Sequence, residues 1–207
     1  MWNHTRLVLG AVALVGATAF ATNTLVAAPQ DPGEQADAGM EMDPAMMAEM
    51  MRMAMPCQEH AELMRGAGEW EMSYRMRMAP EAPWMDATGS MTARPILDGR
   101  YLLEEQEFTF MGMPMKGVSI TGFDNSTGEY TSMWADNMST WWISSRGKKN
   151  DQGAIDFRGT MKDAAGERPF RMEILHVSED EMTLRMFDTI PPQGEVEVMQ
   201  VTGKRKQ

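Results

Sequence analysis

The sequence predicts an all-β fold: one closed, antiparallel, up-and-down barrel of about ten strands, behind a short N-terminal capping helix and a Met-rich helical leader. Three observations carry this reading. The stretch Trp70-Glu71-Met72-Ser73-Tyr74-Arg75-Met76-Arg77-Met78 alternates large apolar and polar side chains without a break. That period of two marks a strand with one buried and one wet face. Turn-forming clusters then recur at short intervals, at Asp98-Gly99, 124–128, 147–153, 163–166, 178–181 and 191–194, each supplying residues that tolerate bent or left-handed backbone. Finally, the segments between them are rich in β-branched, aromatic and Met residues, with no helical segment intervening. So many strands in one sheet leave exposed borders unless the sheet closes, which favours a barrel over a two-layer sandwich. The inward side chains are expected to be the apolar ones throughout.

The elements follow in order. Residues 1–28 have the layout of a secretory signal. Arg6 is the one charge, 7–20 are apolar or small, and small residues recur in Ala19-Phe20-Ala21 and Val26-Ala27-Ala28. Cleavage is expected after 21 or near about 27, and the apolar run is short for a membrane span. This places the protein outside the cytoplasm, periplasmic or secreted. Residues 29–42, poor in large apolar groups, read as a disordered linker because they bury too little to offset chain entropy. The leader spans 43–66. Asp43 is a good N-cap, Pro44 suits the first helical position, and Ala and Met favour the helix until Pro56. A second helix is expected from Gln58 to Arg65, stopped by Gly66 and Gly68. The barrel domain covers 67–207, with strands at 69–78, 86–94, 100–110, 115–123, 129–136, 139–147, 154–161, 168–177, 182–188 and 195–203.

The 207 residues carry a net charge of −11. Such a surface repels phosphate backbones and anionic headgroups, so nucleic-acid binding is disfavoured. Cys57 is the single cysteine and forms no internal disulfide; it reads as an idle thiol.

Two chemistries stand out. Aromatic residues Trp70, Tyr74, Trp84, Phe123, Tyr130, Trp134, Trp141 and Trp142 fall in the barrel region. Large apolar walls with few polar anchors suit a small hydrophobic ligand. The first candidates for the wall are Trp70, Met72, Tyr74, Met76 and Trp134, and a purely structural module is the bland counterpart. One of Trp141 and Trp142 is expected to face outward, because neighbours in a strand point to opposite faces.

The second chemistry is methionine, 25 residues in all, of which eight lie in 40–55. Thioethers are soft ligands for Cu(I) or Ag(I). A metal-binding alternative would use Met46, Met50, Met53, Cys57 and His60; Met as adaptable helix filler is its counterpart. No other cofactor is expected. His60 reads as a packing or capping group and His176 as half exposed at a strand end. Glu104, Glu105 and Glu107 share a strand and read as a solvated face, with Glu104 opposite the other two. Were it inward, it would orient a ligand or, in a further alternative, serve an enzyme. No catalytic constellation is present beyond that, and no stable membrane span is expected after signal cleavage.

Two resemblances add to this. Gly68-Glu69-Trp70 behind a short helix is similar to the Gly-x-Trp start of lipocalins and their calycin relatives. The resemblance implies a calycin-like barrel with the Trp at its closed end, beneath a basic side chain from the last strand, Lys204 or Arg205. The second covers about 59–203. Glu59-His60, Gly68-Glu69-Trp70-Glu71, Ile96-Leu97-Asp98-Gly99-Arg100-Tyr101-Leu102, Phe110-Met111-Gly112-Met113-Pro114, Thr121-Gly122-Phe123-Asp124-Asn125 and Trp134-Ala135-Asp136-Asn137-Met138 resemble the bacterial domain-of-unknown-function family DUF1579. That resemblance implies a small β protein and brings no catalytic residues.

Overall fold

A computed structural model of the chain describes residues 43–163 and 166–207. The expected signal and linker lie outside the described residues.

The leader forms α1 (Pro44–Ala54), where the Asp43 carboxylate accepts from the Ala45 N–H at 2.9 Å and Pro44 opens the first turn. No residue of α1 is buried. It is held by its C-terminal end instead. The Asn125 amide donates to the carbonyls of Arg52 and Met55 at 3.0 and 2.8 Å, and Arg100 donates twice to Ala54. These bonds satisfy carbonyls that a helix end leaves without partners. After Pro56 comes α2 (Gln58–Leu63), whose last turn tightens into a 3₁₀ turn (Met64–Gly66).

Ten strands follow: β1 (Gly68–Met76), β2 (Met85–Ile96), β3 (Tyr101–Phe110), β4 (Met113–Asp124), β5 (Glu129–Asp136), β6 (Ile143–Lys149), β7 (Ile155–Asp163), β8 (Gly166–His176), β9 (Glu181–Ile190) and β10 (Gly194–Arg205). Each pairs with its sequence neighbours, and β10 closes on β1, from Trp70 opposite Arg205 to Met76 opposite Met199. The barrel has no free border. A bulge between Glu197 and Met199 bends β10, and Arg77 takes the carbonyls of both Glu197 and Val198 there.

The register defines two ends. Trp70, Leu102, Tyr130, Phe157 and Met182 lie towards one, where α2 and the 3₁₀ turn pack as a lid. Leu63 joins Tyr130, Ile155 and Phe157 in a cluster under it. The other end carries the loops at 77–84, 111–112, 137–142 and 191–193.

Two expectations need correction. Trp141 and Trp142 are both exposed, at 44% and 65%, because β6 begins only at Ile143 and the pair sits in the preceding loop. Trp84 likewise lies outside the strands, beneath the guanidinium groups of Arg75 and Arg77. The rule that inward side chains are apolar also fails on one side of the barrel. On β4 to β6 the inward groups include Ser119, Thr121, Ser132 and Ser145, all buried, beside Tyr130, Trp134 and Ile143, while Val118, Ile120 and Met133 point outward. Hydroxyls survive there because they bond to one another. Ser119 and Thr121 lie 3.4 Å apart, and Thr121 donates to Ser132 at 3.3 Å.

Candidate functional site

The barrel interior encloses a cavity of about 290 Å³, at the small end of ordinary ligand pockets. Its wall has two halves. One comes from β1 and β8 to β10 and is made of Met, Leu, Ile, Val and Phe together with Tyr74, including Met72, Met76, Met172, Leu184, Met199 and Val201. The other comes from β3 to β6 and carries the polar groups Glu104, Gln106, Ser119, Ser132 and Ser145. An apolar lining with a few convergent polar groups is the usual character of a small-molecule site.

Of the residues expected in this wall, Met72, Tyr74, Met76 and Trp134 border the cavity. Trp70 does not; it is a correction. Its indole is fully buried in the closed end, where Nε1 donates to Gly66 O at 2.9 Å. Arg205, rather than Lys204, covers its ring with the guanidinium carbon 4.4 Å from the ring centre. The same guanidinium donates to the carbonyls of Ala67 and Arg65 at 2.5 and 2.7 Å. Trp70 is thus the floor beneath the cavity, locked between the 3₁₀ turn and β10.

Tyr74 reaches inward from β1. Its hydroxyl donates to Gln106 Oε1 at 3.1 Å and its ring stacks on Phe108. Burial, with the Glu104 charge second, pushes its phenol well above the ordinary tyrosine range. Trp134 lies over Gly117 on the neighbouring strand, where any Cβ would collide with the indole ring. Its Nε1 donates to Asp136 at 2.8 Å.

Glu104 corrects the reading of β3 as a solvated face. Glu105 and Glu107 are exposed as expected, but Glu104 points inside and borders the cavity. It is half-buried there. Burial raises its carboxyl above the ordinary range, partly offset by a hydrogen bond from Ser119, its cross-strand partner. Sequence reasoning missed the polar half of the wall. The available signal was β4 itself, where Gly117-Val118-Ser119-Ile120-Thr121 alternates with small polar groups in one phase and apolar ones in the other.

At the open end, the Arg168 Nε–H is shared by both carboxylate oxygens of buried Asp188 at 2.7 and 2.8 Å, and its two terminal nitrogens form a two-pronged pair with Asp163. Its charge is matched twice over. A larger recess of about 940 Å³ lies on the barrel's outer side, against Tyr101, Ile120, Met133, Trp142 and Arg146. It is more open than the interior, and its polar lining mixes the hydroxyls of Thr131, Ser144 and Thr160 with Arg146, Arg158 and Asp124.

The residues of the metal alternative fall in two places. Met46, Met50 and Met53 lie on α1, each about half exposed. Cys57 and His60 sit at the start of α2, with Sγ 3.1 Å from Nδ1. That nitrogen also accepts the Cys57 N–H, so His60 caps the helix, and its ring stands edge-on to Phe123. Burial lowers the affinity of His60 for a proton, and burial followed by the Glu59 carboxylate raises the Cys57 thiol. This environment favours a neutral thiol, not a reactive thiolate. Among the described residues no group of three or more His, Cys, Asp or Glu is placed to hold a metal ion.

Comparison with known proteins matches residues 55–205 to the model of a family described as "Protein of unknown function (DUF1579)". Among solved structures, the S-type phycobiliprotein lyase CPES from Guillardia theta aligns with a TM-score of 0.53 at 10% identity, over 77% of this chain and 97% of that one. A redesigned β-barrel aligns at a TM-score of 0.37 and 13% identity, over 73% and 97%. Curated proteins gave no match. At 10% identity the likeness to the lyase is one of fold.

Proposed function

The chain belongs to the DUF1579 family, and from that premise we propose that its barrel binds a small, mainly hydrophobic molecule in its interior. One observation carries the reading: the interior is hollow, and its 290 Å³ are walled by apolar side chains with polar groups gathered on one side. A barrel with a purely structural role has no need of that space, since an unfilled void forfeits packing contacts and destabilises the fold. The shared fold with a phycobiliprotein lyase is consistent with small-molecule handling.

Binding is favoured over catalysis because Glu104 and the Tyr74 phenol are the titratable groups in the lining, and acid–base chemistry ordinarily asks for a matched acid and base. Met72, Tyr74, Met76 and Trp134 form the proposed contact wall. We also propose that residues 1–28 act as an export signal and that the barrel works in the periplasm or outside the cell.

The test is titration with a neutral naphthalene fluorophore. Emission should rise on binding, and Leu184→Trp, which fills the cavity, should abolish the rise while the variant stays folded by circular dichroism. Unchanged affinity in the filled variant would refute an interior site.

A further inference from the structure

We propose that the ligand of this cavity is a lipophilic amine, an apolar skeleton bearing one protonated nitrogen, with Glu104 as its counter-ion. The inference deepens the binding function above and rests on it.

Charge complementarity is the starting point. Of the described residues that line the cavity, Glu104 is the one whose side chain carries a full charge in its ionised form, and no described Lys, Arg or His lines it. Glu104 is paired across the sheet with Ala93 on β2 and Ser119 on β4, and the other polar groups of the lining are Tyr74 on β1, Gln106 on its own strand, Ser132 on β5 and Ser145 on β6. They are neutral and supply one hydrogen bond to it, from Ser119. A carboxyl so placed holds its proton more firmly in the empty barrel than in water, because an isolated carboxylate is poorly solvated there. A ligand that brings its own positive charge changes the balance. The carboxylate then gains an ion pair with direct hydrogen bonds, the arrangement in which a buried charge is tolerated.

The surroundings favour the same ligand. Tyr74, Phe108 and Trp134 bring aromatic rings to the cavity, and ring faces attract cations. The thioethers of Met72, Met76, Met182 and Met199 adapt to an apolar skeleton of irregular outline. A carboxylate ligand meets the opposite conditions, since nothing in the wall is basic. At the open end Arg168 is neutralised by two aspartates, and the whole chain carries −11, so the approach favours cations.

Binding has a proton balance. A free amine is protonated at neutral pH, with a pKa of about 10 like that of lysine. Where the Glu104 carboxyl carries its proton, that proton leaves to solvent as the ion pair with the ammonium ion forms. Each binding event therefore releases up to one proton.

The experiment is calorimetric titration of the intact protein at neutral pH with octylamine, 1-octanol and octanoate, which share one chain and differ in the head. Octylamine should bind about tenfold or more tighter than octanol, the scale of one charge-assisted hydrogen bond, with octanoate weakest. The heat of amine binding should vary with the ionisation enthalpy of the buffer, showing proton release, while octanol shows none. Glu104→Gln should erase both the amine preference and the proton release. Should that variant not fold, the buffer dependence in the native protein still decides. Octanol binding as tightly as octylamine, or amine binding without proton release and undiminished in Glu104→Gln, overturns the amine inference and leaves interior binding standing. Failure of all three compounds to bind overturns both.

Discussion

The rings of Tyr74 and Phe108 stack with centroids 4.3 Å apart and planes 21° from parallel, although β2 runs between their strands. Gly89 makes this possible. It lies on β2 between Met72 and Phe108 in the register, and a Cβ there would stand 2.6 Å from Phe108 Cβ and collide with Glu107 O. The missing side chain leaves a gap that the Phe108 ring spans. Gly89→Ala is expected to lower stability by about 1–3 kcal/mol, the scale of overpacking in a close-packed interior. Urea unfolding measures it, and an unshifted midpoint would show that the stack tolerates the methyl.

Arg205→Lys is expected to loosen the closed end. A lysine keeps the charge but not the planar fork that covers Trp70 and bonds two carbonyls of the 3₁₀ turn at once. The expected loss is about 1–3 kcal/mol, from one charged hydrogen bond and the ring contact. Trp70 should also become more accessible to acrylamide quenching; a native-like quenching profile would contradict this role.

Glu104 governs a pH dependence with a definite sign. In the unfolded chain it loses its proton in the ordinary glutamate range, while the folded barrel retains it to higher pH. The unfolded state therefore binds fewer protons across that window, and Glu104 makes folding less favourable as pH rises through it. Glu104→Gln should be more stable than the native protein at neutral pH, with the difference shrinking as pH falls into the ordinary glutamate range. Denaturant midpoints in acid and at neutrality test this, and a destabilised variant at neutral pH would refute it.

Asp124 acts in the opposite direction. Its carboxylate accepts from the Ser126 N–H and hydroxyl at 2.9 and 2.5 Å in the β4–β5 turn, and these bonds hold its pKa at about 2. Its contribution is present above the ordinary aspartate range and is lost as pH falls through about 2. Asp124→Asn should weaken the protein at neutral pH, and the gap should close in strong acid. A carboxyl shift titrating at the ordinary aspartate value in NMR would contradict the assignment.

Most of the architecture was legible because its signals are local. Alternation set the strand phases and turn residues set the hairpins, so the ten expected segments coincide with β1 to β10 to within a few residues. The exception is the start of β6, placed four residues too early because Trp141 and Trp142 look like strand residues. The cavity wall was legible on β1, where Met72, Tyr74 and Met76 alternate with charged and polar neighbours. It was illegible on β3 to β6. Hydrophobicity alone assigns Val118 and Ile120 to the inside, but Ser119 and Thr121 take that place because their hydroxyls bond to each other within β4 and across to Ser132 on β5, pairings that a hydrophobicity pattern does not register. Glu104 was hidden for a related reason, since its neighbours Glu105 and Glu107 make the stretch look wet on both faces.

The pairing of β1 with β10 joins residue 70 to residue 205. Until the ribosome has released the final strand, the nascent sheet exposes the borders that β1 and β10 would cover, with Trp70 lacking its guanidinium cover. Closure therefore waits until β10 has emerged. If the chain crosses a membrane unfolded, the barrel is completed on the far side, and premature stop codons within β10 would yield an open, self-adhesive ribbon instead of a shortened version of the same cup.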